Sequence, residues 1–453
     1  MRSVREDAEQ RVDGRRSLLT LAFLALVVGA MTGLIGAAFR VALEHADRVR
    51  NGLIDWAHGQ AIGGFVIVVA ACAAAAVAAA WLVRRFAPHA AGSGIPHVEA
   101  VLQGQLPPAP IGLVPVKFFG GILSIGSGLA LGREGPSVQM GAGIAVFMGR
   151  LCGLGWPACR VLLAAGAGAG LATAFNAPIA GAVFVLEELV QRFEHRVAIA
   201  ALAASATAIA VGRLVLGDVP DFLVGTLSYV RFETHPLFFA LGAVAGLLGV
   251  AYNRALLAGV AAAERLRNVP VELQAGIIGA IVGVLAWFAP DLVGGGDSLT
   301  QRALTGHDGV VIVLIAFLIR FVLGALSYAA ATPGGIFAPL LVLGAQSGLL
   351  FGAACQTMFP GLEIQREAFA LVGMAAFFIG VVRAPVTGIA LVTEMTANVT
   401  MLLPMLGAGF VAMLVPMLLR DPPIYDSLRA GTLRREPEHP TKIITPPISL
   451  GQR

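Results

Sequence analysis

Long runs of apolar residues, interrupted mainly by glycine, proline and isolated charges, dominate the pattern along the chain. The first two, Leu18–Phe39 and Gly63–Val83, are long enough to cross a hydrocarbon core of about 30 Å as helices. Further runs are Ile111–Leu131, Val161–Leu186, Ala198–Leu216, Leu237–Ala251, Ala275–Phe288, Val310–Phe321, Leu340–Ala354, Phe369–Thr393 and Met401–Leu419. Because the runs are continuous and do not alternate apolar with polar positions, they predict a polytopic all-α membrane protein and not a β-barrel.

An internal sequence repeat within this pattern predicts two related halves. The stretch Gly166–Glu188 resembles Gly373–Met395, and the alignment pairs Glu187 with Glu394 while Glu188 falls opposite Met395. A Gly- and Pro-interrupted segment precedes each copy, which is the arrangement expected of inverted repeats in a transporter. We therefore predict a transmembrane domain over 17–426, with halves at about 17–195 and 196–426, and a shared structural role for Glu187 and Glu394.

Composition and charge support a membrane protein. Of 453 residues, 57% are hydrophobic and only 13% are charged, against about 25% charged in soluble proteins. Much of the basic charge lies near the two ends, at Arg2, Arg5, Arg11, Arg15, Arg16, Arg420, Arg429, Arg434, Arg435 and Lys442. The positive-inside rule then predicts that both termini are cytoplasmic, with tails at 1–16 and 427–453. The first run is too long for a cleaved signal peptide.

The same composition argues against several function classes. The basic residues flank apolar runs and are not interleaved with aromatic residues, so no nucleic-acid partner is expected. The four cysteines are scattered without metal-ligand spacing, and no HExxH motif occurs, so we predict neither a metal nor another cofactor, and not an enzyme. The second, polar tail is short, and no regulatory domain is expected in it.

Four short motifs interrupt or follow the apolar runs and carry the candidate chemistry. They are "GSGIP" (Gly92–Pro96), "GREGP" (Gly132–Pro136), "GGIFAP" (Gly334–Pro339) and "PPIYDSL" (Pro422–Leu428). Glycine lets backbone approach an ion closely, proline is tolerated in a first helical turn, and a helix N-terminus attracts anions through its free N–H groups. Helix breaks inside a membrane domain are tolerated where they line a cavity, so the motifs predict an anion pathway.

The individual residues of these motifs also have simpler interpretations. Ser93 could cap a helix, and Tyr425 could be an aromatic residue at the membrane interface. Arg133 and Glu134 could form a surface pair at a helix end, and Glu188 could be a cytoplasmic helix-end charge. An acid within a membrane segment is nevertheless functional by default, which favours a role for Glu134.

In combination, the motifs resemble those of the CLC family of chloride channels and chloride/proton antiporters, from about Leu18 to Leu428. The resemblance implies that the hydroxyls of Ser93 and Tyr425 and the backbone amides of Ile336 and Phe337 bind chloride. It implies that Glu134 is the gating glutamate, supported by its neighbours Arg133 and Gly135. An ionised Glu134 would occupy an anion site and close the pathway, whereas the protonated side chain would yield to chloride.

The resemblance extends to the second acid and to the assembly. It implies that Glu188 is an internal proton carrier, which favours exchange over passive conduction, and that Lys117 pairs with Glu99. His97 stands where relatives often carry an acid. The family also implies a homodimer with one pore in each subunit, a bacterial inner-membrane location, chloride, protons and the lipid bilayer as partners, and no CBS domains in this chain.

The expected function is therefore secondary active chloride/proton antiport. The closest alternative is a passive voltage- or pH-gated chloride channel of the same family. A cation-coupled carrier of organic anions and a membrane-embedded enzyme rank lower, the latter because the membrane segments show no nucleophile or metal cluster.

Overall fold

The computed structural model describes residues 2–229, 231–266 and 268–435, and over these ranges the chain is built from helices. They are α1 (Arg2–His58), α2 (Ala61–Phe86), α3 (Ile95–Leu102), α4 (Leu113–Gly126), α5 (Glu134–Leu151), α6 (Trp156–Phe175), α7 (Pro178–Phe184), α8 (His195–Leu216), α9 (His235–Arg265), α10 (Val271–Phe288), α11 (Asp297–Thr305), α12 (Val310–Ala329), α13 (Phe337–Met358), α14 (Arg366–Val382), α15 (Pro385–Thr396), α16 (Leu402–Leu418) and α17 (Ile424–Arg435). A π-helical turn, Val185–Leu189, follows α7, and short 3-10 turns lie at Pro88–Ala90, Phe232–Thr234 and Pro290–Leu292.

The predicted polytopic all-α architecture is confirmed. Within the described part of the chain, eight helices are long and apolar enough to cross a membrane. The predicted N-terminal tail is helical from Arg2 and continuous with the first span in α1, and its boundary with the membrane stays a prediction. The predicted second tail begins inside α17, which continues to Arg435, and its remainder from 436 to 453 lies outside the described residues.

The three predicted helix breaks are present, and the fourth motif, Pro422–Leu428, also contains the start of a helix. Helices α3, α5, α13 and α17 begin within or directly after the four glycine- and proline-containing motifs. Short backbone bridges tie three of these motifs together, with Gly92 paired to Pro333 and Gly132 paired to Gly335. In the second bridge the two glycines exchange N–H···O bonds of 2.7 and 2.8 Å. Segments that are distant in sequence are thereby held side by side.

The predicted repeat is visible in how the helices pack. Helix α5 packs against α6 in the first half, and α13 packs against α14 in the second. Gly141 and Gly166 allow the first pair of backbones to touch, and Gly344 and Gly373 do the same in the second pair. Small residues at such crossings permit the close helix packing that is typical of membrane domains.

The two halves also clamp one another through a reciprocal pair of glutamates. The Glu187 carboxylate accepts hydrogen bonds from the backbone amides of Val386 and Thr387, at the start of α15. In the symmetric contact, the Glu394 carboxylate accepts hydrogen bonds from the amides of Ile179 and Ala180, at the start of α7. Each acid therefore neutralises the positive helix end of the other repeat, which confirms the predicted structural role of both.

Candidate functional site

Glu134 lies where two helix N-termini converge. It is the first residue of α5 and is completely buried. Its Oε1 accepts a hydrogen bond of 2.6 Å from the backbone amide of Phe337, the first residue of α13. The amide of Ala338 also acts on the carboxylate. The side chain therefore occupies a position that the positive ends of α5 and α13 make favourable for an anion.

The local sequence explains why a carboxylate can reach this point. Residue 335, like residue 132, lies against the Glu134 side chain, and both are glycines that leave room for it. Gly135 is equally constrained, since a Cβ there would come within 2.5 Å of Ser93 Oγ. These glycines are required by close approach and not only by helix packing.

The hydroxyls of Ser93 and Tyr425 converge on the same region. Both side chains are fully buried and their hydroxyls lie close to each other, and neither oxygen has a further hydrogen-bond partner of ordinary geometry among the described residues. The ring of Tyr425 lies 5.8 Å from the ring of Phe337, centroid to centroid, and the Glu134 carboxylate acts electrostatically on the Tyr425 hydroxyl. Two orphaned buried hydroxyls beside two helix starts form a cradle of donors, since a hydroxyl can donate to an anion.

The turn that carries Ser93 is held by groups from other helices. Gly94 has a positive φ of 87°, which allows α3 to begin immediately after Ser93. The Ser93 amide donates to the hydroxyl of Tyr328 at 3.4 Å. The Lys117 ammonium group donates to the carbonyls of Ala90 and Gly92, at 3.0 and 2.8 Å. Ser93 therefore sits on a backbone whose shape is fixed from two sides.

The predicted ion pair between Lys117 and Glu99 is wrong. Lys117 donates hydrogen bonds to backbone carbonyls, and Glu99 instead forms an ion pair with Arg429 of α17 at 3.2 Å. The prediction assumed that two isolated opposite charges in an apolar sequence form an ion pair. The buried backbone carbonyls that precede Gly94 can instead accept the hydrogen bonds of the Lys117 ammonium group. The sequence signal for Arg429 was weak, because it lies among residues predicted to be a polar tail.

Arg133 does not contribute a free positive charge to the pathway. Its guanidinium group lies 2.9 Å from Asp297 and 3.3 Å from Asp221, and its Nε donates to the carbonyl of Ala174. Asp221 is shared with Arg40 at 2.7 Å. The carboxylates of Asp221 and Asp297 therefore largely offset the positive potential of Arg133 near Glu134. The sequence did not reveal these two partners because they lie far from Arg133 in the chain.

Glu188 lies in the π-helical turn that follows α7 and is buried. The equivalent stretch of the second repeat is ordinary α-helix up to Thr396. Glu187 contacts the other repeat, as Glu394 does from an ordinary α-helix, while Glu188 interacts electrostatically with Glu99, Asp426 and Arg429. Single π-turns inside helices are frequent at functional sites.

An acidic cluster connects Glu188 with the surface. Arg429 bridges the buried Glu99 and Asp426, whose side chain is 40% exposed, with distances of 3.2 and 2.7 Å. Glu99 retains one buried carboxylate oxygen without a hydrogen-bond partner.

Of the predicted site residues, the structure groups Ser93, Glu134, Phe337 and Tyr425 in one place, with Ile336 buried as the residue before α13.

Comparison with known proteins agrees with this arrangement. The family model described as "Voltage gated chloride channel" matches residues 74–416. The "H(+)/Cl(-) exchange transporter ClcA" of Salmonella schwarzengrund (strain CVM19633) is 36% identical over 445 residues, which cover 95% of this chain and 93% of the relative. The transporter of the same name from Salmonella typhimurium matches at the same identity and coverage.

Solved structures show the same fold. A slow cyanobacterial Cl−/H+ antiporter superposes with a TM-score of 0.88 at 31% sequence identity, covering 92% of this chain and 98% of the other. A eukaryotic CLC transporter superposes with a TM-score of 0.78 at 24% identity, covering 92% of this chain and 74% of that one.

Proposed function

Because this chain belongs to the voltage-gated chloride channel family, we propose that it is a secondary active antiporter that exchanges chloride for protons across a bacterial inner membrane. The observation that carries the proposal is the hydrogen bond between the Glu134 carboxylate and the Phe337 amide. A protonatable anion there competes directly with a transported anion. The exchange activity named for the Salmonella relatives and the cyanobacterial antiporter supports the same assignment.

The chloride site is formed by the Ser93 and Tyr425 hydroxyls together with the amides at the start of α13, Ile336 and Phe337. Hydroxyl and amide dipoles replace part of the hydration shell of the ion, without the full positive charge that would hold it too tightly. The ionised carboxylate of Glu134 takes the Phe337 amide for itself and excludes chloride. Protonation removes its attraction to the helix ends, and chloride then enters.

Protons reach Glu134 through Glu188, by a route that separates from the chloride route. Glu188 lies beside the Glu99–Arg429–Asp426 cluster, and Asp426 is in contact with solvent. The two pathways therefore share Glu134 and separate between Glu134 and the face of the protein that carries the chain termini. We place that face in the cytoplasm. Chloride passes Ser93 and Tyr425, and protons pass Glu188.

The working unit is a homodimer with one pathway in each subunit. Helices α7, α8, α15 and α16 share an exposed apolar surface, with side chains that include Ile179, Leu202, Val386, Leu406 and Phe410. The surface is continuous because α7 packs on both α8 and α15, and α15 on α16. The mass of the protein in lipid nanodiscs tests this: a dimer is expected, and a monomer that retains full exchange would contradict it.

The test of exchange uses purified protein in chloride-loaded liposomes, with external chloride and external pH recorded together. We expect chloride efflux to drive protons into the vesicles against a proton gradient. Chloride efflux without any coupled proton movement would instead show a passive channel. Absence of chloride flux from correctly folded, reconstituted protein would reject both.

A further inference from the structure

A cavity of about 370 Å³ opens beside the ends of α10, α11 and α12 and reaches the side of α13. None of the residues assigned to the chloride or proton routes lines it. It lies on the face of the molecule that carries the Arg133–Asp297 pair, because Asp297 begins α11 and Arg302 of the same helix lines the cavity. A volume of this size suits a small ligand or a lipid headgroup.

The mouth of the cavity carries more negative than positive charge. Arg302 binds Asp308 through two nitrogens, at 2.9 and 2.7 Å, and reaches Asp291 with a third at 3.0 Å. Two carboxylates therefore share one guanidinium group, which leaves one negative charge in excess. The Asp291 side chain is 66% exposed and retains acceptor capacity. The ligand that this balance favours is a cation.

The wall of the cavity includes a buried amide that lacks a partner. Gln346 of α13 is only 2% exposed, and its Oε1 has no hydrogen-bond partner among the described residues. An unsatisfied buried amide oxygen is costly, so it favours an occupant that brings an N–H or O–H donor. The cation should therefore also be a hydrogen-bond donor.

The rim of the cavity faces the membrane. Phe288 at the end of α10 is 76% exposed, and Ile312 and Ile315 on α12 are also exposed. Both helices are long and apolar enough to span the bilayer. An acyl chain lying along these side chains would continue directly into the lipid, while the charged mouth lies beyond the helix ends.

We propose that this cavity binds the headgroup of one phospholipid with a primary ammonium group, of the phosphatidylethanolamine type. The ammonium group donates hydrogen bonds to Asp291 and Gln346, and the acyl chains lie against Phe288, Ile312 and Ile315. A choline headgroup carries the positive charge but no N–H donor, and a glycerol headgroup has donors but no positive charge. Of these three headgroups, the primary ammonium headgroup alone satisfies both requirements.

Native mass spectrometry of the full-length protein in detergent tests the proposal, with dioleoyl lipids of ethanolamine, choline and glycerol headgroups added in turn. We expect one ethanolamine lipid per subunit to bind roughly tenfold more tightly than either of the other two, as the gain of a charged hydrogen bond implies. Gln346→Leu and Asp291→Asn should each remove most of that preference. Asp291→Asn leaves the two bonds between Arg302 and Asp308 in place, so it remains informative if Gln346→Leu folds poorly.

The matched control is Asp218→Asn, since Asp218 is an exposed carboxylate that also pairs with a single arginine, Arg213, but lies away from the cavity. This variant should keep the preference of the parent protein. Equal binding of the three lipids, or an unchanged preference in both cavity variants, would overturn the proposal. Competition by soluble glycerophosphoethanolamine as strong as that of the whole lipid would also overturn it, because the ligand would then be a soluble amine.

Discussion

At the scale of single residues, the proposed exchange mechanism depends on Glu134, where protons and chloride would compete for one position. Its carboxylate accepts the Phe337 amide, a donor that a bound chloride would also use. Its second oxygen is buried and has no hydrogen-bond partner among the described residues. The ionised side chain is thus held by backbone amides at the starts of α5 and α13, and protonation weakens its attraction to them.

Glu134→Gln should preserve chloride flux and abolish coupled proton transport. The amide has the size of the protonated acid and carries no charge to hold it on the helix ends, so it no longer alternates between two states. Chloride and proton fluxes recorded from the same liposomes check this. A variant that still moves protons uphill in a chloride gradient would mean that another group carries the coupling.

Removal of both orphaned hydroxyls should weaken chloride binding. Ser93→Ala together with Tyr425→Phe deletes two donors to a charged ligand, each worth about 1.5–3 kcal/mol, or roughly 10- to 150-fold in Kd for each hydroxyl. Calorimetric titration of chloride measures the change, with Tyr229→Phe, an exposed tyrosine far along the chain, as the control. An unchanged Kd in the double variant would place the chloride elsewhere.

The sequence located some site residues and missed others, for a physical reason. Glu134, Ser93 and the start of α13 were found because glycine, proline and a helix start lie together within a few residues. Tyr328 and Asp297 were missed because their roles depend on contacts between segments far apart in the chain. The pairing of Lys117 with Glu99 failed because charge alone does not show which backbone carbonyls a fold leaves unpaired.

At the scale of helices, the two adjacent acids in the π-turn after α7, Glu187 and Glu188, make different contacts. Glu187 caps α15, whereas Glu188 faces the Glu99–Arg429 cluster. A regular helix would also point neighbours in different directions, but the widened turn occurs only in the first of the two repeats. It marks the place where an otherwise symmetric structure departs from symmetry.

Substitution of these two acids should therefore have different effects. Glu188→Gln should leave chloride flux largely intact and lose proton transport, because only the titratable group is removed. Glu187→Gln should lower stability by roughly 1–3 kcal/mol, since a charged cap for two amides is lost, and Glu394→Gln should behave in the same way. Melting temperature in detergent and the two fluxes separate the outcomes; a Glu188→Gln protein that couples like its parent would contradict the assignment.

The apolar pattern predicted which helices exist better than where they end. Runs such as Leu237–Ala251 lie inside the longer α9, because flanking residues of helices can extend into water once the apolar part is anchored. The π-turn itself could not be predicted, since the equivalent stretch of the second repeat, with its glutamate at the matching position, is ordinary α-helix. The repeat, in contrast, could be recognised in the sequence, because both copies have the same spacing between the Ala-Pro pair and the following Glu.

At the scale of the whole molecule, chloride binding and proton binding should be linked. In the proposed mechanism, chloride displaces the ionised Glu134, so binding of the ion takes up a proton wherever that side chain is ionised beforehand. Chloride affinity should therefore rise as pH falls, by up to about tenfold in Kd for each pH unit, and level off once Glu134 is already protonated.

Calorimetric titration at several pH values measures this slope. Glu134→Gln should bind chloride with little dependence on pH, and Glu188→Gln should retain the slope of the parent protein. The same slope in the Glu134→Gln protein would show that a different group takes up the proton.

The bridges that join Gly92 to Pro333 and Gly132 to Gly335 have a consequence for biosynthesis. The ribosome makes Ser93 and Glu134 long before it makes Phe337, and it makes Tyr425 after all of them. A nascent chain whose first half is already inserted in the bilayer therefore still lacks the Phe337 amide and the Tyr425 hydroxyl. The proposed chloride site is completed only with α17, so exchange should begin only when synthesis of the membrane domain is almost finished.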